Sequence, residues 1–167
     1  MIGINSIIND VDIIVNNLYL GNYKSPEFCD GKVSLIINCT KDLPVLPNTE
    51  TIRIPINDDP SECDNLLECI EDNNILKKIH STIIGGQSVL VHCKAGAQRS
   101  CAVVALYLIK YYKTQPSEAI EYIKKHRAIA FFGHVNFMLS LQKFWGKSWD
   151  GGTSCGGTSC PPRPPPA

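Results

Sequence analysis

Apolar residues fall along the chain in runs of two periods. Short aliphatic runs recur at Asn17–Gly21 (NLYLG), Val33–Ile37 (VSLII), Thr51–Ile56 (TIRIPI) and Ser88–Val91 (SVLV), each of strand length and bounded by turn or polar residues. TIRIPI alternates as a half-buried strand does, which confines Pro55 to its end or to a sheet edge. SVLV is wholly aliphatic apart from its first residue and suits a central strand covered on both faces.

The longer runs have a helical period. From Asp64 to Ile84 apolar residues return every three or four positions, predicting one amphipathic helix that Gly85 and Gly86 stop. Ser100–Tyr112 (SCAVVALYLIKYY) is apolar on nearly every face and predicts a buried helix. Thr114 as N-cap and Pro116 in the first turn open an amphipathic helix to His126, and a last helix is predicted over His134–Trp145. Strands alternating with helices predict an α/β domain with a central, mostly parallel, twisted sheet flanked by helices.

After Asp150 the composition changes to GGTSCGGTSCPPRPPPA, a doubled five-residue unit followed by a proline run. The pattern predicts one domain over residues 1–149 and a disordered tail over 150–167. PPRPPP is compatible with a polyproline ligand for an aromatic groove or with a bare tail. A length of 167 residues at 44% hydrophobic composition suffices for one sizeable core.

Sixteen basic residues balance sixteen acidic ones, so no broad field draws the protein to nucleic acid or to an anionic membrane. The first residues carry no basic region ahead of an apolar core, and no apolar span approaches about 18 residues. Eight cysteines form no CxxC pair and no metal-ligand spacing with histidine. A cytoplasmic protein with reduced thiols, and with no metal or cofactor, is expected. Recognition of an anion must therefore be local.

One segment supplies the means. VHCKAGAQRS joins the predicted central strand to the buried helix. The carboxyl end of such a strand is where α/β sheets bind ligands, and the helix N-terminus offers unpaired N–H groups. Lys94, Ala95, Gly96, Ala97 and Gln98 are five residues able to curl their N–H groups into a cup for a tetrahedral oxyanion. Arg99 can grip two phosphate oxygens with its planar fork. Cys93 at the base of the cup has neighbours that all favour the thiolate, making it a nucleophile aimed at phosphorus. Ser100 can donate to the sulfur and assist its departure, and the His92 ring is expected to fix the loop by bonding backbone groups. Cys101 reads as a helix packing residue.

HCKAGAQRS resembles the active-site signature of the cysteine-dependent protein tyrosine phosphatase superfamily, and the short chain looks most like the dual-specificity branch, including its small viral members. NNLYLGNY, SLIINCT, IRIPINDD and the region from Ser100 to about Phe144 are similar to that branch as well, so the likeness covers roughly residues 10–145. It implies a protein tyrosine phosphatase-like fold and a phosphatase of phosphotyrosine and phosphoserine or phosphothreonine in proteins. The partner it implies is a phosphorylated protein.

The leaving oxygen needs a proton, which Cys93 cannot supply. The family register places the acid at Asp58 in IPINDDP, with Asp59 the alternative. Asn38 matches a family residue that braces the phosphate loop, or is a turn-forming Asn. Arg127, 34 residues after Cys93, matches an Arg that takes a second substrate phosphate in some members, or complements the end of its own helix. Two departures stand out: Gln98 replaces the commoner Ser and is expected at the rim of the cup. The usual Asn-x-x-Phe is missing, with His134 or an out-of-register Asn136 in its place. Phosphoinositide and RNA 5'-phosphatases share this chemistry, although the lipid enzymes tend to carry a second basic residue where this chain has Ala97. A catalytically silent phosphoprotein-binding module is the rival of another class.

Overall fold

The aliphatic runs pair into one five-stranded sheet. In the computed structural model, which describes residues 9–149, the strands are β1 (Val11–Val15), β2 (Leu18–Gly21), β3 (Leu35–Asn38), β4 (Glu50–Arg53) and β5 (Val89–His92). Their order is β1-β2-β5-β3-β4, with β1 antiparallel to β2 and every other pair parallel. SVLV thus supplies the central strand, buried along its whole length. The tail predicted over 150–167 lies outside the described residues.

Alternation along the strands divides the core. Leu18, Leu20, Leu35, Ile37, Val89 and Val91 face the larger hydrophobic cluster, while Tyr19, Ile36 and Leu90 face a smaller one with Cys29 and Val33. On the larger side pack α2 (Cys63–Asp72), α3 (Ile75–Ile84), α4 (Arg99–Tyr112), α5 (Pro116–His126) and α6 (Met138–Trp149), and the short α1 (Ser25–Phe28) follows β2. Every residue of α4 from Ser100 to Ile109 is buried, as its uniformly apolar sequence requires. The register brings Gly21, His92, Asn38 and Arg53 into one row at the carboxyl ends of four strands.

The sequence expectation is corrected in four places. β1 was not predicted, because Asp12 interrupts its apolar pattern; that carboxylate is committed to an ion pair described below. The long helix over 64–84 is two helices, broken where Asn74 adopts a left-handed conformation with φ 50°. Ile70 and Ile75 stand five positions apart across the polar run Glu71–Asn74, so the three-and-four spacing lapses at the break. Thr114 does not cap α5: it is buried with an unpartnered hydroxyl, and Gln115 is the N-cap, its N–H donating to Glu118 at 2.9 Å. The last helix begins at Met138 rather than His134, which leaves residues 134–137 free to serve the site.

Candidate active site

A strand-to-helix loop becomes an anion cup only if its carbonyl groups are turned outward. In a trans peptide the N–H points opposite to the preceding C=O, so each outward carbonyl turns the next residue's N–H inward. Here four consecutive carbonyls are claimed from outside. Lys94 accepts from the Tyr23 N–H at 3.0 Å and Ala97 from the Phe131 N–H at 2.8 Å. Gly96 accepts from Arg127 Nε at 2.7 Å and Ala95 from Arg127 Nη2 at 3.3 Å. The N–H groups of Ala95, Gly96, Ala97 and Gln98 accordingly face the interior of the cup, and the Gly96 N–H already points at Cys93 Sγ from 3.3 Å. Gly96 has φ +66°, and a Cβ there would lie 2.5 Å from Arg127 Nη2 and 2.6 Å from the Gly21 carbonyl oxygen. Only glycine fits that position.

The remaining signature residues surround this cup. Cys93 is buried at its floor, with Ser100 Oγ at 3.1 Å from the sulfur. Arg99 opens α4; its Nη1 donates to the Ile56 carbonyl at 3.2 Å, and its Nε is buried with no protein partner. A buried guanidinium N–H lacks an acceptor only at a cost, so among the described residues this N–H is open to an incoming acceptor oxygen. Lys94 is exposed at the rim.

Gln98 is not at the rim. Its side chain is buried, Nε2 donating to the His134 carbonyl at 2.7 Å and Oε1 accepting from the Asn136 N–H at 3.0 Å. Both ends of the amide are thus spent on the segment ahead of α6. Asn136 in turn donates from Nδ2 to Asp58 Oδ1 at 2.8 Å.

The two neighbouring carboxylates separate by environment. Asp59 is the N-cap of a 3-10 turn over Pro60–Glu62 and accepts from the Ser61 N–H at 2.8 Å. Hydrogen bonds from the Ser61 side chain and backbone hold the Asp59 carboxyl below its ordinary range, so it stays ionised and committed to the turn. Asp58 is exposed and reaches toward the loop that carries Asn136.

Three supporting residues act otherwise than expected. Arg127 is buried, 1% exposed; besides the two loop carbonyls it binds the Asn9 carbonyl at 3.0 Å and forms an ion pair with Asp12 at 2.8 Å. It lies behind the cup, where it neither reaches a second substrate phosphate nor serves the end of its own helix. Asn38 does not touch the loop with its side chain. Its Oδ1 accepts from the Thr40 N–H and hydroxyl and its Nδ2 donates to Leu43, shaping the turn after β3 together with Arg53, which donates to the Thr40 and Leu43 carbonyls. Its link to the signature strand is the neighbouring backbone bond from Cys39 N–H to the His92 carbonyl at 2.8 Å.

His92 Nδ1 is buried without a hydrogen-bond partner, so of the loop-fixing bonds expected only a contact with the Cys93 backbone remains. Burial pushes the ring down to about 4, against a backbone group of Cys93 that raises it, and the Arg53 charge lowers it further. The ring is therefore neutral at pH 7.

Sequence reading missed Arg53, Tyr23 and Phe131 as parts of the site. Tyr23 and Phe131 contribute backbone N–H groups, which leave no side-chain signature, and Arg53 looks like an ordinary polar position in an alternating strand.

The chain matches the family model described as dual specificity phosphatase, catalytic domain, over residues 18–146. Over 133 residues it is 35% identical to a protein named as a tyrosine phosphatase, 123R, of Invertebrate iridescent virus 6, covering 78% of this chain and 89% of that one. It is 30% identical over 141 residues to dual specificity protein phosphatase 22 of Homo sapiens, covering 81% and 74%. The crystal structure of human DUSP28 aligns with a TM-score of 0.73 at 25% identity, over 84% of this chain and 95% of that one.

Two outcomes are expected from these contacts. Arg127→Met keeps most of the volume but leaves Asp12 with only the Asn9 amide and withdraws the donors of the Ala95, Gly96 and Asn9 carbonyls, and should cost about 3–5 kcal/mol in urea unfolding. Because the folded His92 ring titrates below its unfolded value of about 6.5, the unfolded chain binds more protons between the two values. Its contribution to stability is full above about pH 6.5 and is lost as pH falls toward about 4, by up to about 3 kcal/mol. Unfolding free energies measured across that window should fall less steeply for His92→Gln.

Proposed function

The chain belongs to the dual-specificity phosphatase family, and from that membership we propose that it hydrolyses phosphotyrosine and phosphoserine or phosphothreonine in proteins through a phosphocysteine intermediate. The observation that carries this reading is the unpartnered Arg99 Nε beside four inward N–H groups, with Cys93 Sγ on the floor beneath them.

A phosphate monoester enters with its non-bridging oxygens in the cup. Arg99 and the N–H groups of Ala95, Gly96, Ala97 and Gln98 hold these oxygens where charge gathers in the transition state. The Cys93 thiolate attacks phosphorus opposite the ester oxygen; the S–P bond forms as the P–O bond breaks. The bonding pair leaves on the ester oxygen, and Asp58 supplies its proton. Water then attacks the thiophosphate, with the Asp58 carboxylate taking its proton, and phosphate departs as the sulfur regains its electron pair. Ser100, 3.1 Å from the sulfur, stabilises the thiolate as it leaves. Asp58 is assigned as the acid in this scheme because Asp59 is spent on capping the 3-10 turn, whereas Asp58 meets the loop that carries Asn136.

Phosphate release from a phosphotyrosine peptide tests the scheme. Cys93→Ser should abolish turnover, and Asp58→Asn should lower kcat by about 10²-fold or more. A chelator should leave the rate intact, since the positive charge in the cup comes from Arg99. Turnover surviving in Cys93→Ser, or faster release from phosphoinositides or 5'-triphosphorylated RNA than from phosphopeptides, would overturn it.

A further inference from the structure

The acid loop and the phosphate loop come from distant parts of the chain, yet proton transfer requires them to keep register within fractions of an ångström. Asp58 is exposed, and a short exposed side chain is free to rotate. One chain of hydrogen bonds limits that freedom. The buried Gln98 grips the 134–136 segment at two points, the His134 carbonyl at 2.7 Å and the Asn136 N–H at 3.0 Å. The Cys63 thiol holds the Asn136 carbonyl from the other side at 3.6 Å. Asn136 Nδ2 then meets Asp58 Oδ1 at 2.8 Å.

We infer that Asn136, registered to the phosphate loop by Gln98, is the positioning residue of the general acid. The inference rests on Asp58 acting as that acid. Asn136 occupies one carboxyl oxygen as an N–H donor, and a carboxylic acid that accepts at Oδ1 carries its proton on Oδ2. The bond therefore selects the oxygen that protonates the leaving group as well as orienting the side chain. In the hydrolytic step the same donor leaves Oδ2 as the oxygen that takes the proton of water. Gln98 is built into the loop that carries Cys93 and Arg99, so the acid is held in the frame of the nucleophile.

This link joins two features that set the sequence apart, the Gln where Ser is commoner and the Asn out of its usual register. Each alone reads as a lost family residue. Together they form one connection, because the longer amide of Gln98 reaches a segment that a Ser hydroxyl would not span.

The test exploits the demand for acid catalysis, which rises as the leaving group becomes more basic. Asn136→Ala should lower kcat on a phosphotyrosine peptide by roughly five- to twentyfold, the worth of one hydrogen bond to a carboxylate, with KM little changed. Across aryl phosphates the loss should shrink as the leaving phenol becomes more acidic than tyrosine. In an Asp58→Asn background the same substitution should add no further loss, because the proton it positions is gone. Asn136→Leu, closer in volume, should behave alike and guards against misfolding of the alanine variant. An equal loss for every leaving group, or losses that multiply with Asp58→Asn, would overturn the positioning role. If Asp58→Asn itself shows no dependence on the leaving group, it is the assignment of Asp58 as the acid that fails.

Discussion

The site depends on holding four consecutive carbonyl groups the wrong way for ordinary packing. Left to itself a strand-to-helix loop would share its carbonyls and N–H groups with water. Here Lys94, Ala95, Gly96 and Ala97 surrender their carbonyls to donors behind the loop, and the N–H groups that follow have nowhere to point but inward. The donors come from three separate places: Tyr23 ahead of α1, Phe131 after α5, and Arg127 at the end of α5. Arg127 is the hub, since one guanidinium serves two loop carbonyls, the Asn9 carbonyl and the Asp12 carboxylate.

That arrangement also settles the electrostatics of the cup. Arg127 is neutralised by Asp12 and the His92 ring is neutral, so apart from the exposed Lys94 at the rim the cationic group left at the cup is Arg99. A chain of zero formal charge thereby keeps one oriented positive group where a phosphate would lie, and needs no broad basic surface. The cost is borne by the fold: a buried ion pair adds little by itself, but losing one partner strands the other. Sheet register contributes as well, because Gly21, His92, Asn38 and Arg53 end their strands level with one another. Gly21 lacks a side chain where a Cβ would collide with Ser25 and crowd the Asp10 carbonyl, and its own carbonyl accepts the Cys93 N–H at 3.4 Å.

Much of this was legible in the residues, and the parts that were not share a cause. The central strand and the buried helix could be read from Val89–Val91 and Ser100–Tyr112, because a segment buried on all sides shows it in every residue. The loop that forms the cup could be read because Gly96 is held to one conformation and the Cys93 and Arg99 that flank it sit at a strand-to-helix junction. Arg127 could be found but not understood, since a buried guanidinium and a substrate-binding one look alike until their partners are known. Gln98 and Asn38 misled for a related reason: the partners of Gln98 are the backbone of residues 134–136, and those of Asn38 are the backbone of residues 40–43 with the Thr40 hydroxyl. The strand around Asp12 escaped because a tertiary ion pair overrides the local pattern there, while the break at Asn74 was written in the polar run Glu71–Asn74 and its lapse in apolar spacing.

The outward carbonyls and inward N–H groups are open to direct observation. Titrating the protein with inorganic phosphate while following backbone and guanidinium N–H resonances reports each donor separately. The amides of Ala95, Gly96, Ala97 and Gln98 and the Arg99 Nε–H should shift together on one saturating curve. Phosphate that binds while those amides stay still, with shifts confined to exposed lysines such as Lys94, would contradict the account.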